Sequence, residues 1–246
     1  MNSTSCRPAR SVRQTTQVGI FFGLINLMSA LAALFTVANA HAGTRAVTDE
    51  IRIVAFGDSL TAGYGLKPGQ AFPAVLQMAL RARGHHVEVI NSGVSGDTTA
   101  AGLERLDWAV GDDADAVILE LGANDALRGQ PPKETRANLD TILTKLGARR
   151  LPVLIAGMRA PENWGSDYRD KFDVIFGELA AKHTALLYPF FLAGVATDPK
   201  LNLSDGLHPN ARGIAIIVER ILPKVEALID RAKQARSATA TSSGQR

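Results

Sequence analysis

The chain has 246 residues, of which 46% are hydrophobic, and this is enough for one domain with a single core. Its 27 basic and 24 acidic residues give a net charge of +3, but three arginines and no acidic residue lie within residues 1–40, so the remainder carries 24 of each sign. Such a balanced domain lacks the clustered basic face of nucleic-acid binding proteins. The single cysteine, Cys6, lies in the same leading segment, so the rest of the chain has neither a disulfide nor a catalytic thiol.

Residues 1–40 have the pattern of an export signal. Three arginines precede a mostly apolar run over 18–37, and Ala38-Asn39-Ala40 then supplies the small-x-small pattern of a cleavage site. We expect a signal peptide cleaved after Ala40, or alternatively after Ala42, and a periplasmic or secreted protein with a short mature segment over 41–50. Because the apolar run is about long enough to span a bilayer, an uncleaved N-terminal membrane anchor is the alternative.

Apolar runs then alternate with helical patterns. Continuous apolar runs, typical of strands covered on both faces, predict strands over 51–56, 87–90, 116–121, 153–156 and 185–187. Apolar residues at helical spacing predict one helix closed by Gly84 and another that ends before Gly147, with further helices near 98–110, 168–182 and 211–232. The polar residues over 233–246 predict a disordered tail.

This alternation predicts one α/β domain over 51–232, with a doubly wound parallel sheet and helices on both faces. In such sheets, ligands bind beyond the carboxyl ends of the strands, beside the point where the strand order reverses. Polar segments follow several predicted strands: Ser59 the first, Gly96 the second, Asn124 the third, and Asp205 with His208 the last. We therefore expect these residues to meet at one edge of the sheet.

The residue types at that edge suit acyl transfer. A serine becomes nucleophilic when an imidazole takes its proton and a carboxylate orients the far nitrogen, and Ser59, His208 and Asp205 provide these groups. Gly96 lacks a Cβ, so its N–H can approach a reacting oxygen, and the Asn124 amide offers two more donors for an oxyanion. Taken singly, each motif is also typical of ordinary turns and helix caps. A Gly-x-Ser-x-Gly elbow, which would indicate an α/β-hydrolase, is absent.

Four blocks together resemble the SGNH (GDSL-type) serine hydrolases, and within them the bacterial periplasmic branch of thioesterases, lysophospholipases and arylesterases. The resemblance covers residues 51 to about 230 and rests on Gly57-Asp58-Ser59-Leu60, Ser95-Gly96-Asp97, Gly122-Ala123-Asn124-Asp125 and Asp205-Gly206-Leu207-His208-Pro209. The segment over 158–165 also looks like that branch. One departure is Ala123, where these relatives usually have a second glycine, and this departure leaves the acyl-chain preference open.

The resemblance implies a flavodoxin-like three-layer α/β/α fold with a five-stranded parallel sheet. It also implies Ser59 as nucleophile, His208 as general base, Asp205 as its orienting acid, and an oxyanion hole made by the Ser59 N–H, the Gly96 N–H and the Asn124 amide. We take the loop over 126–132 and the segment around Trp164 as candidate walls for the acyl group.

We therefore expect a monomeric esterase or thioesterase that acts on small acyl esters, with membrane lipids as further candidate substrates and without a metal or other cofactor. Three alternatives stay open at this stage. They are a carbohydrate O-deacetylase, a non-catalytic periplasmic ligand-binding domain, and a metal-dependent phosphoesterase that would use Asp58, Asn124, Asp205 and His208 as ligands.

Overall fold

The computed structural model of the chain describes residues 49–243; the predicted leader and its cleavage sites lie outside them. The described part holds five strands, which are β1 Ile51–Gly57, β2 Val87–Gly93, β3 Ala116–Glu120, β4 Val153–Ala156 and β5 Leu186–Tyr188. Its α-helices are α1 Ser59–Ala62, α2 Phe72–Ala82, α3 Thr99–Ala109, α4 Ala123–Leu127, α5 Pro132–Ala148, α6 Ser166–Lys182 and α7 Ala211–Ser243, and a 3₁₀-helix covers Glu162–Trp164.

The strands form one parallel sheet in the order β2-β1-β3-β4-β5. Helices α2 and α7 pack against each other, whereas α3, α5 and α6 form a second contiguous layer. This arrangement confirms the predicted doubly wound, three-layer α/β/α fold. The strand order reverses between β1 and β3, which pair directly, so the expected ligand site lies at the carboxyl ends of these two strands.

The central strands are buried because both faces of the sheet are covered. Every residue of β3 is buried, and in β1 only Arg52 is partly exposed, which explains the continuous apolar runs in the sequence. On α2 the buried residues Phe72, Leu76 and Leu80 recur at a spacing of four, so one stripe of the helix faces the core. A rigid, buried β1 therefore leads directly into the segment that carries Ser59.

The structure differs from the sequence-based expectation at two helix ends. Helix α5 continues past Gly147 to Ala148, and the left-handed backbone that ends it lies at Arg150, with φ 58°. Helix α7 continues to Ser243, whereas we expected disorder from residue 233. The reason lies in tertiary contacts: Arg236 donates to the carboxylate of Asp115 and to the carbonyl of Glu50, so the start of the predicted tail is tied to the sheet.

Among the helices within residues 49–243, none combines the length and the hydrophobicity that a bilayer span requires.

Candidate active site

Ser59 is the first residue of α1 and follows β1 directly. Asp58 caps this short helix, because its side chain accepts a hydrogen bond of 3.0 Å from the Leu60 N–H. Position 57 has room only for a glycine, because a Cβ at Gly57 would collide with Thr61 and Glu120. Ser59 is largely buried, with 9% of its surface exposed, at the end of a rigid strand. The turn therefore holds the hydroxyl in one direction.

His208 bridges the serine and an acid. Its Nε2 lies 2.9 Å from Ser59 Oγ, and its Nδ1 lies 2.7 Å from Asp205 Oδ2. The N–H groups of His208 and Leu207 both donate to Asp205 Oδ1, and these bonds, the His208 one foremost, lower the pKa of Asp205 to about 2. The ionised Asp205 accepts a hydrogen bond from Nδ1–H, which keeps the proton of the neutral ring on Nδ1 and leaves the lone pair of Nε2 to accept a hydrogen bond from the Ser59 hydroxyl.

Hydrogen bonds within the last loop hold the imidazole in this position. The Leu203 N–H donates to the His208 carbonyl at 2.7 Å, and Asn202 pairs with Pro209 in an isolated bridge. The Asn210 side chain donates to the carbonyls of Lys200 and Asn202, and its oxygen accepts from the N–H groups of the second and third residues of α7. The ring of Tyr64 covers the imidazole, with ring centroids 4.5 Å apart. Both ring nitrogens of His208 are thus hydrogen-bonded, one to Asp205 and the other to Ser59.

Two backbone donors lie on the segments that follow β1 and β2. Among the described residues, neither the Ser59 N–H nor the Gly96 N–H has a protein acceptor. Gly96 has φ 89°, in the left-handed region that favours glycine, and its carbonyl accepts a hydrogen bond of 2.9 Å from Arg128. Both N–H groups are thus free to donate to a bound carbonyl oxygen.

Asn124 joins these two segments from α4. Its Nδ2 donates to Asp58 Oδ2 at 3.1 Å and to the Asp97 carbonyl at 2.9 Å. The structure thus brings Asn124 to the expected edge, between the residue before Ser59 and the residue after Gly96. Both amide hydrogens already have acceptors, so donation to a substrate oxygen requires that one of them be shared. The methyl group of the neighbouring Ala123 packs against the core.

Two carboxyl groups lie buried behind the serine. Asp58 and Glu120 are fully buried, and Glu120 Oε2 accepts hydrogen bonds from the Thr61 hydroxyl at 2.7 Å and from the Asp58 N–H at 3.3 Å. Burial raises the pKa of Asp58 to about 6, although bonds from Leu60 and Asn124 oppose the shift. Burial, followed by the nearby charge of Asp58, raises the pKa of Glu120 well above its ordinary value. Burial thus favours the neutral form of both carboxyl groups, and their proximity opposes the ionisation of both at once.

The two candidate acyl walls contact each other. Trp164 Nε1 donates to the Ala126 carbonyl at 2.7 Å, and its ring lies so close to Gly129 that a Cβ there would be 2.7 Å from the ring. The hydroxyl of Tyr168 donates to the Gln130 carbonyl at 2.8 Å. The 3₁₀-helix and the start of α6 thus support the loop over 126–132, and Trp164 is still 42% exposed.

The other histidines within the described residues lie away from this edge. His85 is paired with Glu226 and His183 with Asp140, and both rings are partly buried. His85 and His86 line a hollow with Glu50 and Arg81 at the opposite end of the sheet.

Sequence reasoning missed three residues that the structure places around the triad: Arg105, Glu120 and Tyr64. A signal for Glu120 exists, because it is a carboxyl within an otherwise apolar strand. The sequence also carries a signal for Arg105, because its position, three residues after Gly102 and directly before Leu106, places it on the buried stripe of α3. For Tyr64 the sequence offers only its nearness to Ser59.

Comparison with known proteins fits this geometry. Residues 55–216 match the model of the GDSL-like lipase/acylhydrolase family. An arylesterase of Vibrio mimicus is 40% identical over 169 residues, which cover 68% of this chain and 84% of that protein. The thioesterase 1/protease 1/lysophospholipase L1 of Escherichia coli K12 is 33% identical over 179 residues, 72% of this chain and 85% of the relative. Among solved structures, AlinE4, an SGNH-hydrolase family esterase, is 48% identical with a TM-score of 0.63, and the match covers 73% of this chain and 97% of AlinE4.

Proposed function

The chain belongs to the GDSL-like lipase/acylhydrolase family, and we propose that it hydrolyses acyl esters and thioesters through an acyl-enzyme on Ser59. The observation that carries this proposal is the continuous line of contacts from Ser59 Oγ through His208 to Asp205. The relatives named arylesterase and thioesterase support the choice of substrate class.

In the acylation step, Ser59 Oγ attacks the carbonyl carbon while its proton passes to His208 Nε2. The carbonyl oxygen becomes an oxyanion, which accepts hydrogen bonds from the Ser59 and Gly96 N–H groups and from the Asn124 amide. When the tetrahedral intermediate collapses, the bond to the leaving alkoxide or thiolate breaks, and His208 returns the proton to it.

Deacylation repeats the sequence with water as the nucleophile. His208 takes a proton from water, the hydroxide adds to the acyl carbon, and Ser59 leaves with the proton that His208 returns. Because Asp205 stays ionised far below neutral pH, it stabilises the transient imidazolium in both halves of the reaction.

The test is a series of p-nitrophenyl esters and acyl thioesters of increasing chain length, measured with the parent chain and with Ser59→Ala. We expect turnover of the parent on both ester classes and a loss of several orders of magnitude in the variant, since the nucleophile is gone. A fluorophosphonate probe should label the parent but not the variant.

The outcomes separate the rivals. Hydrolysis restricted to acetyl esters would favour the O-deacetylase, and a parent that neither turns over esters nor reacts with the probe would favour a binding domain. A folded Ser59→Ala protein with near-parental turnover would exclude the acyl-enzyme mechanism proposed for this site.

We further propose that the protein is exported through residues 1–40, with its hydrolase domain in the periplasm or outside the cell. The arginines, the apolar run and the Ala38-Asn39-Ala40 pattern support this placement.

A further inference from the structure

Arg105 is a buried cation directly behind the proposed oxyanion hole. It lies on α3 and is 7% exposed, and its guanidinium lies over the ring of Phe56, 4.2 Å from the ring centroid. None of the steps above uses it. Because burying an unpaired charge costs desolvation free energy, the hydrogen-bond partners of this guanidinium decide whether its position is stable.

The guanidinium donates to three different partners. Its Nη2 donates to the Gly57 carbonyl at 2.9 Å, and its Nε donates to Asp97 Oδ2 at 2.6 Å. A longer bond of 3.4 Å joins Nη1 to Ser92 Oγ. The planar fork of arginine suits such divergent acceptors, whereas a lysine ammonium would present a single point charge.

These partners belong to the segments that carry the oxyanion donors. Gly57 lies two residues before Ser59, and Asp97 follows Gly96 directly. The carbonyl of Asp97 in turn accepts the hydrogen bond from Asn124. One side chain therefore connects the backbone before the Ser59 donor, the loop of the Gly96 donor and the acceptor that holds the Asn124 amide.

We propose that Arg105 is a positioning residue that fixes the three oxyanion donors relative to one another; this inference rests on the proposed function of the site. Bonds aimed at charge that develops in the transition state are effective only when they are held in place beforehand. A displacement of about 1 Å in such an arrangement costs on the order of a hundredfold in rate.

A purely structural role explains the placement less well. A buried ion pair such as Arg105–Asp97 contributes little net stability compared with apolar residues of similar volume, because both charges must be desolvated. Apolar residues could not donate hydrogen bonds to the Gly57 carbonyl at the end of β1 and to the Asp97 carboxylate in the next loop at the same time.

The experiment compares the parent chain with Arg105→Lys and Arg105→Met. If Arg105 positions the donors, we expect kcat in Arg105→Met to fall by about 10- to 100-fold while KM stays within about threefold, because the donors act on the transition state. Arg105→Lys keeps the charge but not the fork, so we expect it to recover only part of the loss.

A second readout separates positioning from general destabilisation. Phenylboronic acid adds to a serine oxygen as a tetrahedral anion and so mimics the charged intermediate. Its inhibition constant should rise across the variants by the same factor as kcat/KM falls. The matched control is Arg149→Met, since Arg149 also donates from its guanidinium to two carbonyls, those of Val110 and Gly111, at the far end of α3. It should leave kcat and boronate inhibition unchanged.

If Arg105→Met does not fold, Arg105→Lys and Asp97→Asn decide, because Asp97→Asn keeps the side-chain shape and removes the charge that Arg105 pairs with. A folded Arg105→Met variant with parental kcat and parental boronate inhibition overturns the inference. If Arg105→Met does not fold, the inference is overturned when Arg105→Lys and Asp97→Asn both keep parental kcat and parental boronate inhibition. A parent that is neither active nor inhibited by the boronate would instead contradict the proposed function itself.

Discussion

The buried carboxyl groups behind Ser59 make the stability of the protein depend on pH. The pKa of Asp58 is about 6 in the folded chain, compared with an ordinary value of 3.8. Between these two pH values, the folded state therefore holds a proton that the unfolded state has released. Stability from this group therefore falls as pH rises through the window from about 4 to 6. For a fully buried group, a shift of this size corresponds to about 3 kcal/mol.

We predict that Asp58→Asn flattens this part of the profile. The single oxygen of asparagine can keep the helix cap to Leu60, and the side chain has no charge to bury, but its NH2 group replaces the oxygen that accepts from Asn124. Urea unfolding of both proteins at about pH 5 and pH 8 measures the effect, and the difference between the two proteins cancels the contribution of titrating groups that do not interact with Asp58; Glu120, whose pKa the Asp58 charge raises, is the exception. If both lose the same stability between these values, Asp58 does not titrate in this window.

A second prediction at the residue scale concerns Asn124, which has no acid–base chemistry and acts only through its amide. Asn124→Ala removes one of the proposed donors to the oxyanion, so we expect kcat to fall by about 100- to 1,000-fold, a loss of about 2.7–4 kcal/mol in transition-state stabilisation. KM should change much less. Steady-state kinetics on a p-nitrophenyl ester provide the measurement.

Asn138→Ala is the matched control, because the Asn138 amide also donates to a side-chain oxygen, that of Thr99 at 3.1 Å, without touching the triad. If folded Asn124→Ala turns over within about threefold of the parent, the asparagine is only a structural link between Asp58 and Asp97.

The sequence locates the proposed catalytic residues better than the residues that hold them in place. Ser59, Asp205 and His208 lie in short local motifs, and the edge rule for parallel sheets places them together. The contacts of Arg105 and Glu120 join residues that are 48 and 62 positions apart in the chain. Such contacts depend on the register of the sheet and on the packing of α3, and neither can be read from the local pattern.

At the scale of elements, the contact of the 3₁₀-helix with the loop over 126–132 bears on acyl-chain preference. Trp164 supports this loop through its bond to the Ala126 carbonyl and its packing on Gly129. We predict that Trp164→Ala raises KM for medium and long acyl esters by about tenfold, whereas short esters are affected less. An acyl-length series measures this difference.

Trp108→Ala is the control for the loss of a tryptophan, since Trp108 is 74% exposed on α3. Equal changes in KM for short and long esters in Trp164→Ala would mean that this segment does not line the acyl site.

The last helix gives a second prediction at this scale. Arg236 lies beyond the boundary expected from the sequence, and it holds Asp115 and the Glu50 carbonyl. Arg236→Met should lower the free energy of unfolding by about 1–3 kcal/mol, because the mostly buried Asp115 loses a charged donor. Arg231→Met, which removes an exposed hydrogen bond to the Thr184 carbonyl, should lower the free energy of unfolding by a clearly smaller amount.

Thermal or urea unfolding of the two variants provides the comparison. If the two variants have the same free energy of unfolding, the contact of Arg236 stabilises the domain no more than an exposed hydrogen bond does. The sequence could not show this helix end, because the polar composition after residue 232 resembles a tail and the partner Asp115 lies 121 positions away.

For the molecule as a whole, the strand order explains why one chain suffices for the site. The segments after β1, β2 and β3 and the loop before α7 all reach the edge where the order reverses, and they bring Ser59, Gly96, Asn124 and His208 together. Because every proposed group comes from the same chain, we expect a monomer to be active.

The leading segment gives the final prediction. The hydrogen bonds described for Ser59, His208, Asp205, Asn124 and Arg105 join residues within 49–243, so the loss of residues 1–40 removes none of these bonds. We therefore expect export to yield a mature protein that begins at His41, or at Gly43 if cleavage follows Ala42, with the unfolding temperature and kcat/KM of the uncleaved chain. N-terminal sequencing of the exported protein identifies the site, and a chain produced from His41 onward is the matched control for folding and activity. An intact Met1 on protein recovered from the membrane fraction would instead show that the apolar run over 18–37 remains as an anchor, with the hydrolase domain held at the membrane surface.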